Sequence, residues 1–201
     1  MATAEHIAKA TIRQRSPEWF AARRGKVTAS SLYRVFAKPG TKSHEGYKRD
    51  LILDLEGLEG WEDTPPWFEH GTETEKYARG AYEHEYDIDV IPAGFVIHPQ
   101  MPYFGCSPDG YPGEGLIEIK CRSRLQTFLG ACERISRNDG LQIQGQLSVT
   151  GRPWCDYVNY FEPNGEPGGE LHVQRVFRDE DRIREIESKV RHFYDGISSN
   201  A

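Results

Sequence analysis

Asp109, Glu118 and Lys120 are the residues of this chain whose types and spacing could do chemistry. Asp109 stands in the turn-forming run Ser107-Pro108-Asp109-Gly110, and nine residues later Glu118-Ile119-Lys120 falls within a short apolar run marked by Leu116, Ile117 and Ile119. That run reads as a strand, whose side chains alternate faces, so Glu118 and Lys120 project to one side and Ile117 and Ile119 to the other. The Gly/Pro-rich stretch from Gly110 to Gly115 can fold back as a hairpin and set Asp109 beside Glu118. Two unit charges about 4 Å apart repel by roughly 4 kcal/mol at an effective dielectric near 20. Paired carboxylates therefore call for a proton or a divalent cation between them. Hard oxygen donors suit Mg2+ or Mn2+, and a metal-bound water beside an ammonium group suits phosphodiester cleavage. On these residues alone, a surface strand with an ordinary ion pair is the competing reading.

The elements that must position these groups follow from local signals. Ser16-Pro17-Glu18-Trp19 is a helix start, and that helix should end near Arg24, before Gly25. Thr28-Ala29-Ser30-Ser31 opens a second helix reaching about Phe36. Its hydroxyls either cap the helix or, with Arg23 nearby, hold an anion. Residues 47–58 read as an amphipathic helix with Leu51, Leu55 and Leu58 on one stripe, followed by an acidic connector at 60–66. A helix over 69–85 carries Glu75 on the apolar stripe of Ala78 and Tyr82. An acid there is either salt-bridged to Arg79 or part of the metal cluster. Strands are expected at 89–98, 103–108, 115–121, 154–162 and 170–177, with a loop at 163–169. Helices are expected at 124–134, 140–150 and 179–195, and the second of these carries Gln142, Gln144 and Gln146. The order predicts an α/β (α+β) fold with a central mixed sheet flanked by helices.

Length and composition fit one soluble domain over 1–201, with no membrane span and no secretory apolar core. Four dispersed cysteines without a C-x-x-C pair suit reduced thiols of a cytoplasmic protein and do not suit a zinc site. The net charge of −6 is unevenly spread: residues 1–50 carry 11 Lys/Arg against 4 Asp/Glu, and residues 51–100 carry 2 against 12. The basic part includes Arg13, Arg15, Arg23, Arg24 and Lys26 beside Trp19-Phe20, either a solvated face or a surface for a phosphate backbone.

Five blocks, taken in order, resemble the YqaJ-like viral recombinases, the phage lambda-type exonucleases among the PD-(D/E)xK restriction-endonuclease-like nucleases. They are Trp19…Arg23-x-Gly25…Thr28-Ala29-Ser30; Gly71…Glu75…Ala78-Arg79; Cys106-Ser107-Pro108-Asp109-Gly110; Leu116-Ile117-Glu118-Ile119-Lys120-Cys121; and Gln142-Ile143-Gln144. The resemblance implies a processive 5′→3′ exonuclease that digests one strand of linear double-stranded DNA and leaves 3′ tails for strand annealing. By the same resemblance Asp109, Glu118 and the Ile119 carbonyl would ligate Mg2+, and Lys120 would activate or position water. Glu75 would serve an outer water or the second ion of a two-metal site, and Gln144 would support the centre. Arg23, Ser30 and Ser107 would bind the 5′-phosphate, with residues 1–66 supplying DNA contacts. The resemblance also implies a ring-shaped homotrimer, a single-strand annealing protein as partner, and a phage or prophage origin in a bacterial cytoplasm. The chain departs from the nuclease class at one point. A tyrosine usually follows the glutamine by four residues, whereas here Ser148 follows Gln144 and Gln146 follows Gln142. An endonuclease of the same fold, or an inactive DNA-end binder, are the alternatives.

Overall fold

Ser16 starts the first helix, α1 (Pro17–Arg23), by accepting the Trp19 amide on its hydroxyl, with Pro17 at the position where a missing N–H costs nothing. The computed structural model describes residues 14–58, 66–163 and 168–198, and at 66–73 and 198 only the backbone. Gly25, at φ +65°, ends α1 in a conformation that favours glycine. The chain then passes through β1 (Val27–Thr28), a 3-10 turn (Ala29–Ser31) and the short α2 (Leu32–Val35). The single helix expected from Thr28 to Phe36 is thus a 3-10 turn and a helix in sequence.

The next helix, α3, runs Lys42–Leu55 rather than over 47–58, because Thr41 caps it by accepting the His44 amide. Its buried stripe is His44, Tyr47, Leu51 and Asp54, while Leu55 and Leu58 are exposed, so the buried face is out of phase with the expected Leu51–Leu55–Leu58 stripe. Most of the 60–66 connector and residues 164–167 of the later loop lie outside the described residues. Helix α4 spans Pro66–Tyr86.

The strand expected over 89–98 is two short ones, β2 (Val90–Ile91) and β3 (Val96–Ile97). Pro92, which has no N–H, and Gly94 stand between them, and a ladder does not run through such a pair. Then follow β4 (Phe104–Cys106), β5 (Tyr111–Pro112), β6 (Leu116–Arg122), α5 (Leu125–Glu133), α6 (Arg137–Thr150), β7 (Trp154–Phe161), β8 (Glu170–Phe177) and α7 (Glu180–Ser198). The mixed sheet is divided: β6 pairs parallel with β7 and β7 antiparallel with β8, while β4 lies between parallel β1 and antiparallel β3. A small antiparallel pair, β2 with β5, completes it.

Parallel pairing of β6 and β7 requires a crossover, and α5 and α6 supply it. Strand β6 consequently has a helix on each face. Leu116 packs with Ile143 and Leu147 of α6, and Ile117 and Ile119 pack with Ala78 and Tyr82 of α4. Alternation then turns Glu118 and Lys120 toward α6. A third cluster joins α2, α3, α6 and α7 around Leu32, Tyr47, Phe104 and Phe193. Gly145 of α6 fits here because a side chain would collide: a Cβ would lie 2.4 Å from Leu32 Cδ1.

Candidate active site

The hairpin before β6 sets the geometry. The Asp109 amide donates to the Ile117 carbonyl, and the Ile117 amide donates to the Gly110 carbonyl, each at 3.1 Å. Asp109 Oδ2 accepts the Ile119 amide at 2.7 Å. The N–H and C=O of one strand residue leave from the same edge, so the Ile119 carbonyl also projects toward the Asp109 side, away from β7. The structure thus brings together Asp109, Glu118, Ile119 and Lys120.

Glu118, only 3% exposed, is held from three directions. Its Oε1 accepts Gln142 Nε2 at 2.6 Å and pairs with Lys120 Nζ at 2.8 Å, and its Oε2 accepts Gln146 Nε2 at 2.6 Å. Lys120 Nζ also donates to Gln142 Oε1 at 3.1 Å and lies 3.9 Å from Asp139 Oδ1. Burial pulls the Lys120 ammonium toward deprotonation, but Glu118, with Asp109 and Asp139 behind it, outweighs burial and keeps it above the ordinary lysine value.

Gln144 does not join this cluster, which corrects the sequence expectation. Its Nε2 donates to the Phe177 carbonyl at 2.8 Å and its Oε1 accepts the Asp179 amide at 3.0 Å, so it fastens the β8–α7 corner. Gln142 and Gln146, four residues apart, share a helix face, and Gln144 between them points elsewhere. That spacing was the available signal. Asp139 was missed as well, although Ser136-x-x-Asp139 is a capping pattern. Asp139 Oδ2 accepts Ser136 Oγ at 2.8 Å and the Tyr157 hydroxyl at 2.7 Å.

Of the two relations considered for Glu75, the salt bridge to Arg79 is present. Arg79 Nη2 donates to its Oε1 at 3.0 Å, and Arg15 Nη2 lies 3.9 Å from its Oε2. Its charge also reaches Asp109: burial first, then Glu118, then Glu75 push the Asp109 carboxyl well above the ordinary aspartate range, against the Ile119 amide and Lys120. Gln14, which no sequence signal flagged, donates its side-chain amide to the Pro108 carbonyl at 2.8 Å and to the Ala93 carbonyl at 3.1 Å. It anchors the loop that carries Asp109.

Two residues before Asp109, Ser107 Oγ accepts the Trp19 indole N–H at 2.9 Å. The Arg23 guanidinium stacks on that indole at 4.1 Å and lies 5.7 Å from the Phe95 ring. Its Nε is buried with no hydrogen-bond partner, and among the described residues it has no ion pair. Burial lowers its pKa from the ordinary arginine value. Thr28 Oγ1 lies 3.2 Å from Ser30 Oγ and 3.1 Å from Ser31 Oγ, and the Thr28 amide donates to the Tyr47 hydroxyl at 3.3 Å. Arg23 is linked to Ser107 through Trp19, and Ser30 belongs to a hydroxyl cluster around Thr28 whose Tyr47 interacts with Arg23. A half-buried cation with an unsatisfied Nε and no carboxylate partner among the described residues can accept an anion. Of the other basic residues, Arg24 pairs with Asp54 at 3.7 Å, and Arg13 lies outside the described residues.

The oxygen donors fit a hard divalent cation. A carboxylate has about four acceptor positions, and the three contacts on Glu118 leave one on Oε2. Among the described residues no group of three or more His, Cys, Asp and Glu could hold a metal, so an ion here would have only Asp109, Glu118 and the Ile119 carbonyl as protein donors. The like-charge burden on Asp109 is what a bound cation would relieve.

A family profile described as the YqaJ-like viral recombinase domain matches residues 18–153. No curated protein matches the chain. Two crystal structures of LHK-Exo, an alkaline exonuclease from Laribacter hongkongensis, one of them in complex with dAMP, are similar to it. They are 35% and 36% identical with TM-scores of 0.82 and 0.81, and each match covers 92% of this chain and 94% of the other. A phage-related exonuclease from Haemophilus somnus 129PT shares the fold, with a TM-score of 0.65 and 16% identity over 87% of this chain and 96% of that one.

Proposed function

The chain belongs to the YqaJ-like viral recombinase family, and from that premise we propose that it is a divalent-metal-dependent 5′→3′ exonuclease acting on linear duplex DNA. Processive digestion of one strand would leave a 3′ single-stranded tail. Kinship with alkaline exonucleases makes it a nuclease of the phage recombination type; the polarity, the metal and the product are the reading's own. One observation carries it. The segment Ser107-Pro108-Asp109 joins the carboxylate–ammonium cluster to a half-buried arginine that has no carboxylate partner among the described residues. Such a site can seat a terminal phosphate beside the bond to be cut.

In this reading Asp109, Glu118 and the Ile119 carbonyl hold Mg2+ or Mn2+. The ion, when bound, lowers the pKa of a water and stabilises charge on phosphate oxygens. Lys120 positions the attacking water and carries positive charge toward the scissile phosphate, while Gln142 and Gln146 keep the Glu118 carboxylate in one orientation. Arg23, Ser30 and Ser107 take the 5′-phosphate and register the strand, so that residues 1–66 contribute DNA contacts. A second ion near Glu75 would require Arg15 to give way, because its guanidinium lies 3.9 Å from that carboxylate. LHK-Exo has been crystallised with dAMP, a mononucleotide, and stepwise cleavage of a strand would release such products. Family membership further supports a homotrimeric ring, a single-strand annealing partner and a cytoplasmic site of action. Among the described residues, no helix is long and apolar enough to cross a membrane. Light scattering that gave a monomer at working concentration would end the ring reading.

The end-phosphate pocket is tested by comparing digestion of 5′-phosphorylated and dephosphorylated duplexes. Wild-type protein should prefer the phosphorylated end by roughly ten-fold or more, since one charge-assisted contact contributes about 1.5–3 kcal/mol. Arg23→Ala should remove the preference. Equal wild-type rates on both ends would withdraw the pocket assignment.

A further inference from the structure

We propose that a basic cavity between α2, α3 and α7 is a second phosphate site, which holds a backbone phosphodiester of the bound duplex; this rests on the nuclease reading above. The cavity, about 540 Å³, is lined by Lys38 from the loop after α2, His44 and Lys48 from α3, and Lys189, His192 and Phe193 from α7. Its lining holds one acid, Asp195. None of the three lysines has an ion pair among the described residues. Three ammonium groups around one concavity repel one another, and an anion between them removes that cost. The charge logic is that of the carboxylate pair with the sign reversed.

A second observation points the same way. His44 is 7% exposed, and its Nδ1 is buried without a hydrogen-bond partner. Buried polar atoms are almost always satisfied, and an orphan is costly. The His44 ring lines the cavity, and a small shift of it would let this nitrogen, when it carries the proton, donate to a phosphate oxygen. The ring is held edge-on against Phe193 at 5.0 Å, and Lys48 Nζ lies 5.9 Å from the same Phe193 ring. The cavity thus has an aromatic wall, an unsatisfied imidazole and flexible cations, the chemistry of a phosphate group.

Position favours DNA over a free anion. Tyr47, one turn after His44, stacks on Phe193 at 5.5 Å, and its hydroxyl reaches Thr28 in the hydroxyl cluster. Two stacked rings therefore separate the cavity wall from the proposed 5′-phosphate pocket. Phosphates recur about every 3.4 Å of helix axis on each strand, so a duplex whose end enters that pocket carries further phosphates past it. Lys38, His44 and Lys48 also belong to the basic part of the chain, where residues 1–50 carry 11 Lys/Arg against 4 Asp/Glu.

The test is fluorescence anisotropy of a labelled linear duplex in EDTA, across a salt series, with wild type and the Lys48→Ala/Lys189→Ala double variant. The variant should bind several-fold more weakly, and its log–log salt slope should fall by roughly one to two, at about 0.9 per lost phosphate contact. Lys48→Arg with Lys189→Arg should retain wild-type binding, which separates charge from damage to the fold. Identical affinity and slope for wild type and the alanine variant would overturn the proposal. If inorganic phosphate protected the wild type against heat but not the alanine variant, while duplex affinity stayed equal, the cavity would hold a free phosphate and the duplex assignment would fall. Wild-type protein that bound no duplex at all would instead remove the nuclease reading beneath it.

Discussion

Glu118 is buried and acidic, and a lone carboxylate in that position would be costly. Two carboxamides and one ammonium hold it, which fixes its orientation and leaves one acceptor position for a cation. Residues that touch the reacting groups should therefore separate sharply from a neighbour that does not. Lys120→Ala should lower Mg2+-supported cleavage by roughly a hundred-fold or more while duplex affinity survives. Gln142→Ala should lower kcat, because Glu118 and Lys120 both lose a partner. Gln144→Ala should instead lower stability by about 1–3 kcal/mol, from the two hydrogen bonds at the β8–α7 corner, with kcat retained. Paired cleavage and urea-unfolding assays read both effects, and a kcat loss confined to Gln144→Ala would reverse the assignment. The carboxylate pair and lysine were legible in the sequence because strand alternation and a short hairpin are local rules. The glutamines were not: three of them at every second position leave the helix phase open, and only the packing of α6 against β6 chooses between them.

Element boundaries show where local pattern loses to tertiary context. Leu55 and Leu58 look like a stripe with Leu51, yet Thr41 starts α3 early and turns His44, Tyr47 and Asp54 inward. Asp54 inside a helix stripe has a reason that sequence does not display: its Oδ2 accepts the Gly25 amide at the end of α1. The β3–β4 connection holds a comparable buried polar group. His98 Nδ1 accepts the amides of Gln100 and Met101, both at 3.1 Å, and its Nε2 faces Glu187 Oε1 at 3.4 Å. Burial, opposed by Glu187, holds this imidazole below the ordinary histidine value of 6.5. As pH falls through that value, the unfolded chain takes up a proton that the folded chain refuses, so stability drops. Urea midpoints at about pH 7.5 and about pH 5.5 should differ more for wild type than for His98→Asn. An equal difference would show that His98 does not contribute to the acid loss.

At the scale of the molecule, the charge partition is the feature the sequence displayed and the fold made specific. In the proposed function the basic first part would supply Arg23 and Ser30 to the end-phosphate pocket; it lines the other cavity with Lys38, His44 and Lys48, while the charge of Glu75 in the following part reaches Asp109. The division of the mixed sheet was not legible, since strand order depends on pairings between distant segments such as β1 with β4. Assembly is likewise a property of surfaces that no single-chain periodicity encodes. The central claim is directional, end-dependent, metal-supported digestion. It is tested most directly with a linear duplex labelled at either end, in Mg2+ or EDTA, beside a covalently closed circle. The expected result is Mg2+-dependent release of mononucleotides from the 5′ label, with the 3′-labelled strand shortened only from its far end and the circle intact. Cutting of the closed circle, or Mg2+-dependent loss that starts at the 3′ label, would contradict it.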